Sequence, residues 1–208
     1  NGLFYLYLEA WSYTMDWDRV KKSRSFQNGA LTYMEVVQRV LSGYGQSGVT
    51  DHATGGACIP EFLLQYEESD WVFLRRLASH FGTYLLADAT DACGKVYFGI
   101  PEISYGTVLD RQDYTMEKDM LHYARVLEKE GVLSQEASCW NVMVRFFLRM
   151  GETLTFNGIE AVVTAMRLHT EKGELVYSYV LARRAGIRRE KEKNPGIFGM
   201  SIPEIGRA

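Results

Sequence analysis

Three carboxylates stand close together at Glu67, Glu68 and Asp70. Paired acids can serve as acid and nucleophile on a glycosidic bond, but they must face each other across a substrate, about 5–10 Å apart. Acids bunched where an apolar periodic stretch begins fit a different role, capping a helix and complementing its dipole. Asp70 is also expected to make a local, structural ion pair with Arg76 or Arg75. His52 and Cys58, with Cys93 or Cys139, are metal-ligand types, yet no two have finger-like spacing, and a free cysteine commonly serves as a small buried hydrophobe. An odd count of three cysteines without a Cys-x-x-Cys pair predicts reduced thiols. His80, His122 and His169 stand apart from any nucleophile, and neither Ser69 nor Ser79 lies in an elbow motif. Gly43-Tyr44-Gly45-Gln46-Ser47-Gly48 spells Gly-x-Gly-x-x-Gly, which cradles a pyrophosphate only when it follows a strand and opens a helix. Here it follows a predicted helix and runs into loop. Arg183, Arg184, Arg188, Arg189, Lys191 and Lys193, interspersed with Glu190 and Glu192, read as a solvated linker or a contact for an acidic neighbouring subunit. A nucleic-acid site would want interleaved aromatics and a basic domain. These residues predict no catalytic group, no metal site and no cofactor.

The elements that must position these residues are legible in part. The 208 residues are 47% hydrophobic, 24% charged and of net charge −3, ordinary for a folded domain and too weakly charged to draw the chain to nucleic acid or an anionic membrane. Thirteen Tyr and ten Phe against four Pro favour a β-rich fold. No apolar run reaches the ~20 residues that span a bilayer. The run Leu3–Leu8 is short, lacks a basic flank and is followed by Glu9, so it predicts a buried strand, drawn here over residues 3–13, rather than a signal peptide. Thr32 and Glu35 are spaced as a capping box for a helix with Val36, Val37, Val40 and Leu41 inside. The glycine-rich residues 43–56 predict a flexible loop. Residues 61–66 predict a strand. Ser69 is a natural N-cap for a helix over 70–81, whose apolar face is Trp71, Leu74, Leu77, Ala78 and Phe81 and whose end is Gly82. Thr83 to Ala87 and Lys95 to Ile100 predict a hairpin. Residues 140–148, 152–157, 159–170 and 174–182 predict four more strands, with Phe156-Asn157-Gly158 and Thr170-Glu171-Lys172-Gly173 as turns. Residues 116–130 have helical composition.

Three of these segments together carry a resemblance. Lys22-Ser23-Arg24-Ser25-Phe26-Gln27-Asn28 is the first. The second is Gln65-Tyr66 followed by Glu68, Ser69, Asp70, Phe73, Leu74, Arg76, Leu77, Ala78 and Gly82. The third is Asn194-Pro195-Gly196-Ile197-Phe198-Gly199-Met200-Ser201. In this order they resemble the late-control D and VgrG family, the hub proteins of contractile phage tails and type VI secretion spikes. The motif residues Arg24, Ser25, Phe26, Gln27, Gln65, Tyr66, Glu68, Asp70, Phe73, Arg76, Leu77, Gly82, Asn194, Pro195 and Gly199 are thereby expected to be structural.

The resemblance implies an α+β, β-rich fold: a small α+β domain over 25–104 and an antiparallel tube-type β-barrel over 105–185. Residues 1–24 would close an N-terminal barrel that begins before Asn1, and residues 186–208 would lead toward a spike or oligonucleotide-binding-type domain. It also tips residues 116–130 toward strand, as entry to the barrel. The implied role is structural and not enzymatic. A homotrimer would adapt a sixfold tail tube to a threefold spike, so the expected partners are other copies of the chain, the tube protein and the spike. There would be no specific nucleic-acid binding and no membrane span. Assembly would occur in the cytoplasm, before incorporation in a virion or tail-like particle. The competing expectation is a baseplate-associated carbohydrate-binding module or cell-wall hydrolase. A sugar binder would expose Trp11, Trp17, Trp71 or Trp140 as platforms.

Overall fold

A computed structural model describes residues 11–60, 62–88, 90–91, 93–171 and 173–199. The chain is mixed α+β and strand-rich, in two packed units with a hydrophobic core each. Residues 3–10 of the anticipated first strand lie outside the described residues. Its final residue, Tyr13, opens a 3₁₀ turn, Tyr13–Asp18, that buries Trp17.

The first unit is built on two helices. Helix α1 (Tyr33–Leu41) starts in the anticipated capping box, with the Thr32 hydroxyl accepting from the Glu35 amide and the Glu35 carboxylate accepting from the Thr32 amide. It buries Tyr33, Val36, Val37, Val40 and Leu41. Helix α2 (Asp70–Ser79) is capped by Ser69, whose hydroxyl accepts from the Val72 amide. Its regular turns stop before Gly82, and Gly82 then takes φ +63°, the left-handed conformation that turns the chain away. A β-ribbon, β1 (Lys21–Phe26) and β3 (Leu63–Ser69), packs on α2 through stacked Phe26 and Phe73. Phe73, Leu74, Leu77 and Ala78 are fully buried, each large apolar side chain stabilising by about 1.5–3 kcal/mol. Trp71 and Phe81, anticipated on the same face, are only partly buried, whereas Phe73, left off it, is central.

The glycine-rich stretch is more ordered than its composition predicts. It contains a strand, β2 (Ser47–Asp51), running parallel to β5 (Gly94–Phe98), which pairs antiparallel with β4 (Leu85–Ala87). The backbone pairing comes from β5, distant in sequence, so a local reading of glycines could not register it. The β4–β5 hairpin matches expectation.

The second unit is a six-stranded sheet in the order β6-β9-β10-β11-β8-β7. Its strands are β6 (Ile103–Leu109), β7 (Tyr114–Lys118), β8 (Ser138–Val144), β9 (Glu152–Phe156), β10 (Ile159–Glu171) and β11 (Glu174–Ala182). The tight β9–β10 turn is made by Asn157 and Gly158, both at positive φ. The expectation of an antiparallel barrel is corrected in two respects. Strand β6 pairs parallel to β9, and the sheet is not closed, because β6 and β7 remain its two edges among the described residues. They are joined through residues 110–113, and Tyr114 packs edge-on against Phe156, so the sheet curls without sealing. The expected strand over 116–130 ends at Lys118. Asp119 then caps a turn, α3 (Met120–His122), which continues as π-helical Tyr123–Leu127 and 3₁₀ Glu128–Glu130 and buries Val126 and Leu127.

The two units are held by residues 183–196, which turn back over the first unit. Arg184 donates to the carbonyls of Ile100 and Pro101 and to the Thr153 hydroxyl, and Arg183 pairs with Glu136. Gly186 lies against the Glu136 backbone so closely that a Cβ there would land on its carbonyl oxygen. Gly186→Ala should therefore cost about 1–3 kcal/mol by overpacking, read as a lowered unfolding midpoint in urea. Gly29→Ala, which meets no atom, serves as the control.

Candidate functional site

The first two sequence motifs, far apart along the chain, meet in one buried polar knot on the inner side of the β1–β3 ribbon, and the third fastens to that ribbon at Tyr66. The geometry begins with a bulge. Register shifts between Lys22 and Arg24, where Tyr66 and Glu67 occupy the partner strand, and Glu67 takes φ +46° while its amide donates to the Ser23 hydroxyl. Regular alternation would send Gln65 and Glu68 to opposite faces. The additional residue turns both toward α2, where they are buried.

Asp70, fully buried, is the centre. Its Oδ1 accepts from the Arg24 guanidinium and from Gln65 Nε2, and its Oδ2 accepts from Lys22 Nζ at 2.7 Å and the Tyr44 hydroxyl at 2.7 Å. Gln65 accepts from Arg24 Nε at 2.9 Å and donates to the Glu68 carbonyl at 3.0 Å, closing the ring. Burial would raise the Asp70 carboxyl, but bonds from Lys22, Gln65, Tyr44 and Arg24 outweigh it and hold the group below the usual carboxylate range. The same contact with Asp70 raises the Lys22 ammonium. Beside this, Glu68 pairs with Arg76, whose guanidinium also donates to the Leu64 carbonyl at 2.7 Å and lies over the Phe73 ring. The local pair anticipated between Asp70 and Arg75 or Arg76 is thus replaced: Asp70 takes its cations from β1, and Arg76 takes its carboxylate from β3.

The third motif covers the ribbon from outside. Asn194 donates to the Tyr66 carbonyl at 2.7 Å, its Oδ1 accepts from the Gly196 amide, and Gly196 sits against the Tyr66 ring. Pro195 opens the 3₁₀ turn that Asn194 caps. Of the remaining motif residues, Phe26, Phe73 and Leu77 are core, Gly82 supplies the turn after α2, and Ser25, Gln27 and Gly199 are exposed. Lys22 and Tyr44 are knot members that sequence reasoning missed. A buried aspartate must find cations, but nothing local names them.

This arrangement has little chemistry to offer a substrate. Both Glu68 and Asp70 are buried and occupied, and Glu67 is exposed without a facing acid. His52, Cys58, Cys93 and Cys139 are not brought together, and among the described residues no group of three His, Cys, Asp or Glu is placed to hold a metal. Gly43 to Gly48 joins the end of α1 to β2, the reverse of the order that pyrophosphate binding requires. The arginines of the C-terminal basic run are engaged with Glu136, Glu130, Glu192 and backbone carbonyls rather than solvated. Trp17 and Trp140 are buried and Trp71 is partly buried, leaving Trp11 exposed.

The apolar surface that remains lies on the second unit. Tyr105 and Val108 on edge strand β6, and Tyr114 and Met116 on edge strand β7, are at least half exposed. The β10–β11 hairpin outreaches β9 and carries exposed Leu168 and Leu175 on the side that continues the core. No described helix is long and apolar enough to cross a membrane.

Asp70→Asn should destabilise by about 1–3 kcal/mol, because Arg24 and Lys22, each about one-third exposed, would keep their charge without a counter-ion. The sign of the pH effect follows from the lowered carboxyl. Its contribution is complete above the unfolded carboxylate pKa of about 3.9 and is lost as pH falls through the folded value, so the variant should lose part of the acid-unfolding limb seen in the parent protein by circular dichroism.

Comparison with known proteins converges on one type. Residues 3–99 match the family model described as phage tail baseplate hub (GPD). No curated protein sequence matches the chain. Among solved structures, the E. coli c3393 protein is similar over 88% of this chain at TM-score 0.65 and 14% identity. It is described as a component of the type VI secretion system with structural similarity to the T4 bacteriophage tail proteins gp27 and gp5. The chain spans 57% of that protein's length. A 43 kDa tail protein of prophage MuSo2 from Shewanella oneidensis is similar over 87% of this chain and 71% of its own, at TM-score 0.63 and 12% identity. A tail protein from Neisseria meningitidis MC58 is similar over 80% of this chain and 70% of its own, at TM-score 0.54 and 12% identity. The family segment coincides with the unit that holds the knot, and the fold shared with these tail proteins extends over most of the remainder, so the chain is similar to phage tail baseplate hub proteins.

Proposed function

We propose that this chain is a structural piece of a baseplate hub that works as a homotrimer, matching a sixfold tail tube on one side to a threefold spike on the other. The observation that carries the reading is the use of the motif residues. The buried charges are consumed in holding elements together, and what remains outward is strand edge and apolar sheet rather than a reactive group. Exposed edges invite pairing with another chain unless they are protected or used, and a ring of subunits uses them. The partners in this reading are further copies of the chain, the tube protein and the spike. The protein assembles in the cytoplasm and ends in a virion or tail-like particle, without enzymatic activity of its own. The domain division proposed with it is 1–24, 25–104, 105–185 and 186–208. The motif residues serve as scaffolding for the surfaces around them.

Light scattering on the native-length protein should give the mass of a trimer, with weaker association for the 208-residue piece. A native-length monomer at tens of micromolar would overturn the ring reading. Screening against cell-wall glycans tests the competing module. Binding there, lost on Trp11→Ala, would favour it.

A further inference from the structure

The β10–β11 hairpin leaves the second unit as an arm. Strand β9 pairs only with Ile159 to Val162 of β10, and β8 reaches no further along β11 than Tyr177. Beyond those points the two strands have each other, out to Glu171 and Glu174. The outer edge of β10 from Ala165 onward therefore meets no strand among the described residues, and Ala165 to Thr170 are exposed. A two-stranded ribbon is marginal in water by itself, and an open edge of this length is a template for another strand. Met166 and Leu168 stand opposite Tyr179 and Tyr177, so with Leu175 they occupy the side of the arm that continues the core. Arg167 and His169 alternate to the other side.

The two edges of the sheet differ as partners for such an arm. Strand β6 loses register between Ser104 and Val108, and Gly106 takes φ +71°, which breaks its edge. Strand β7 keeps unbroken register with β8 over Tyr114–Lys118 and contains neither Gly nor Pro. Its Tyr114 and Met116, opposite Val142 and Trp140, lie on the core side and are at least half exposed. Thr115 and Glu117 lie on the other side, also exposed, with one Glu117 oxygen accepting from Asn141. Laid antiparallel to the arm with Arg167 opposite Glu117, β7 brings Leu168 opposite Met116 and His169 opposite Thr115. Apolar side chains then meet on one face, and a cation meets a carboxylate on the other. Within one molecule β11 and β8 separate β10 from β7, so this pairing joins two molecules.

We propose that the β10–β11 arm of one copy adds its open edge, residues 165–170, to strand β7 of a second copy of this chain. The two surfaces are different parts of the molecule, so the contact is heterologous. Each copy gives an arm and receives one, and repetition leads to a ring where the rotation closes instead of stopping at a dimer. The contact supplies a copy-to-copy surface for the trimer reading above and rests on that reading.

Cross-linking of the native-length protein tests it, in a Cys58→Ser background that removes the exposed native thiol. Thr115→Cys and His169→Cys in one chain should be joined by a short bismaleimide into covalent trimers on a denaturing gel. Either cysteine alone should leave monomers. A dimer from a single variant would mean that like edges meet and would overturn the head-to-tail pairing. Arg167→Glu should raise the concentration at half-dissociation about tenfold, and adding Glu117→Arg should restore it. Failure of the exchange to restore it overturns the register. A parent trimer whose paired cysteines give no cross-link overturns the contact and leaves the hub reading standing, whereas a parent monomer at tens of micromolar overturns both. Cross-linking to the tube protein in assembled particles, in place of a second copy, would assign the arm to that partner and overturn the proposal.

Discussion

A charge with nowhere else to go organises the first unit. Asp70 is fully buried, and a buried carboxylate survives only if donors replace the water it has lost. Four side chains do so, from β1, from β3 and from the residues after α1. Because the donors come from three separate parts of the chain, the carboxylate specifies where those parts must be. Apolar packing alone, Phe26 on Phe73 for example, would tolerate slippage along the ribbon. A polar centre with directed bonds does not. The bulge at Glu67 completes it, by turning Gln65 and Glu68 to the same side.

The second unit is organised differently. Its core of Trp140, Val142, Leu154, Phe156, Val163, Tyr179 and Leu181 is apolar, and its sheet is held by register and packing. What sets it against the first unit is again directional bonding, with Arg184 on the carbonyls of Ile100 and Pro101 and with Arg189, Glu192 and Asn194 on Gly82, Ser79 and Tyr66. Such a molecule presents a fixed arrangement of surfaces rather than a cleft with a reactive group. In the hub reading proposed above, the arrangement is itself the working part.

What local sequence determined was local. The capping box of Thr32 and Glu35, the Ser69 cap, strands β8 to β11 of the second unit and the Asn157–Gly158 turn were legible because each signal lies within a few residues of its effect. The chain also carried its three motifs openly, and the resemblance to tail hub proteins followed from them. Where nonlocal pairing decided, local reading failed. Strand β2 inside a glycine-rich stretch exists because β5 lies beside it, and the parallel β6–β9 pair joins strands separated by most of the sheet's sequence.

The identity of the knot's partners belongs to the tertiary structure alone. Sequence could say that Asp70 stands at a helix start beside two arginines, and on local grounds it offered Arg75 or Arg76. The fold gave it Arg24 and Lys22, because the β1–β3 register brings those side chains over the helix start while Glu68 claims Arg76. Openness of the sheet was likewise undecidable from strand patterns, since a local pattern marks a strand without naming its neighbours. Whether two edges meet depends on accumulated twist, on the shifted β6–β9 register and on the four-residue connection between β6 and β7, none of which is written in any one strand.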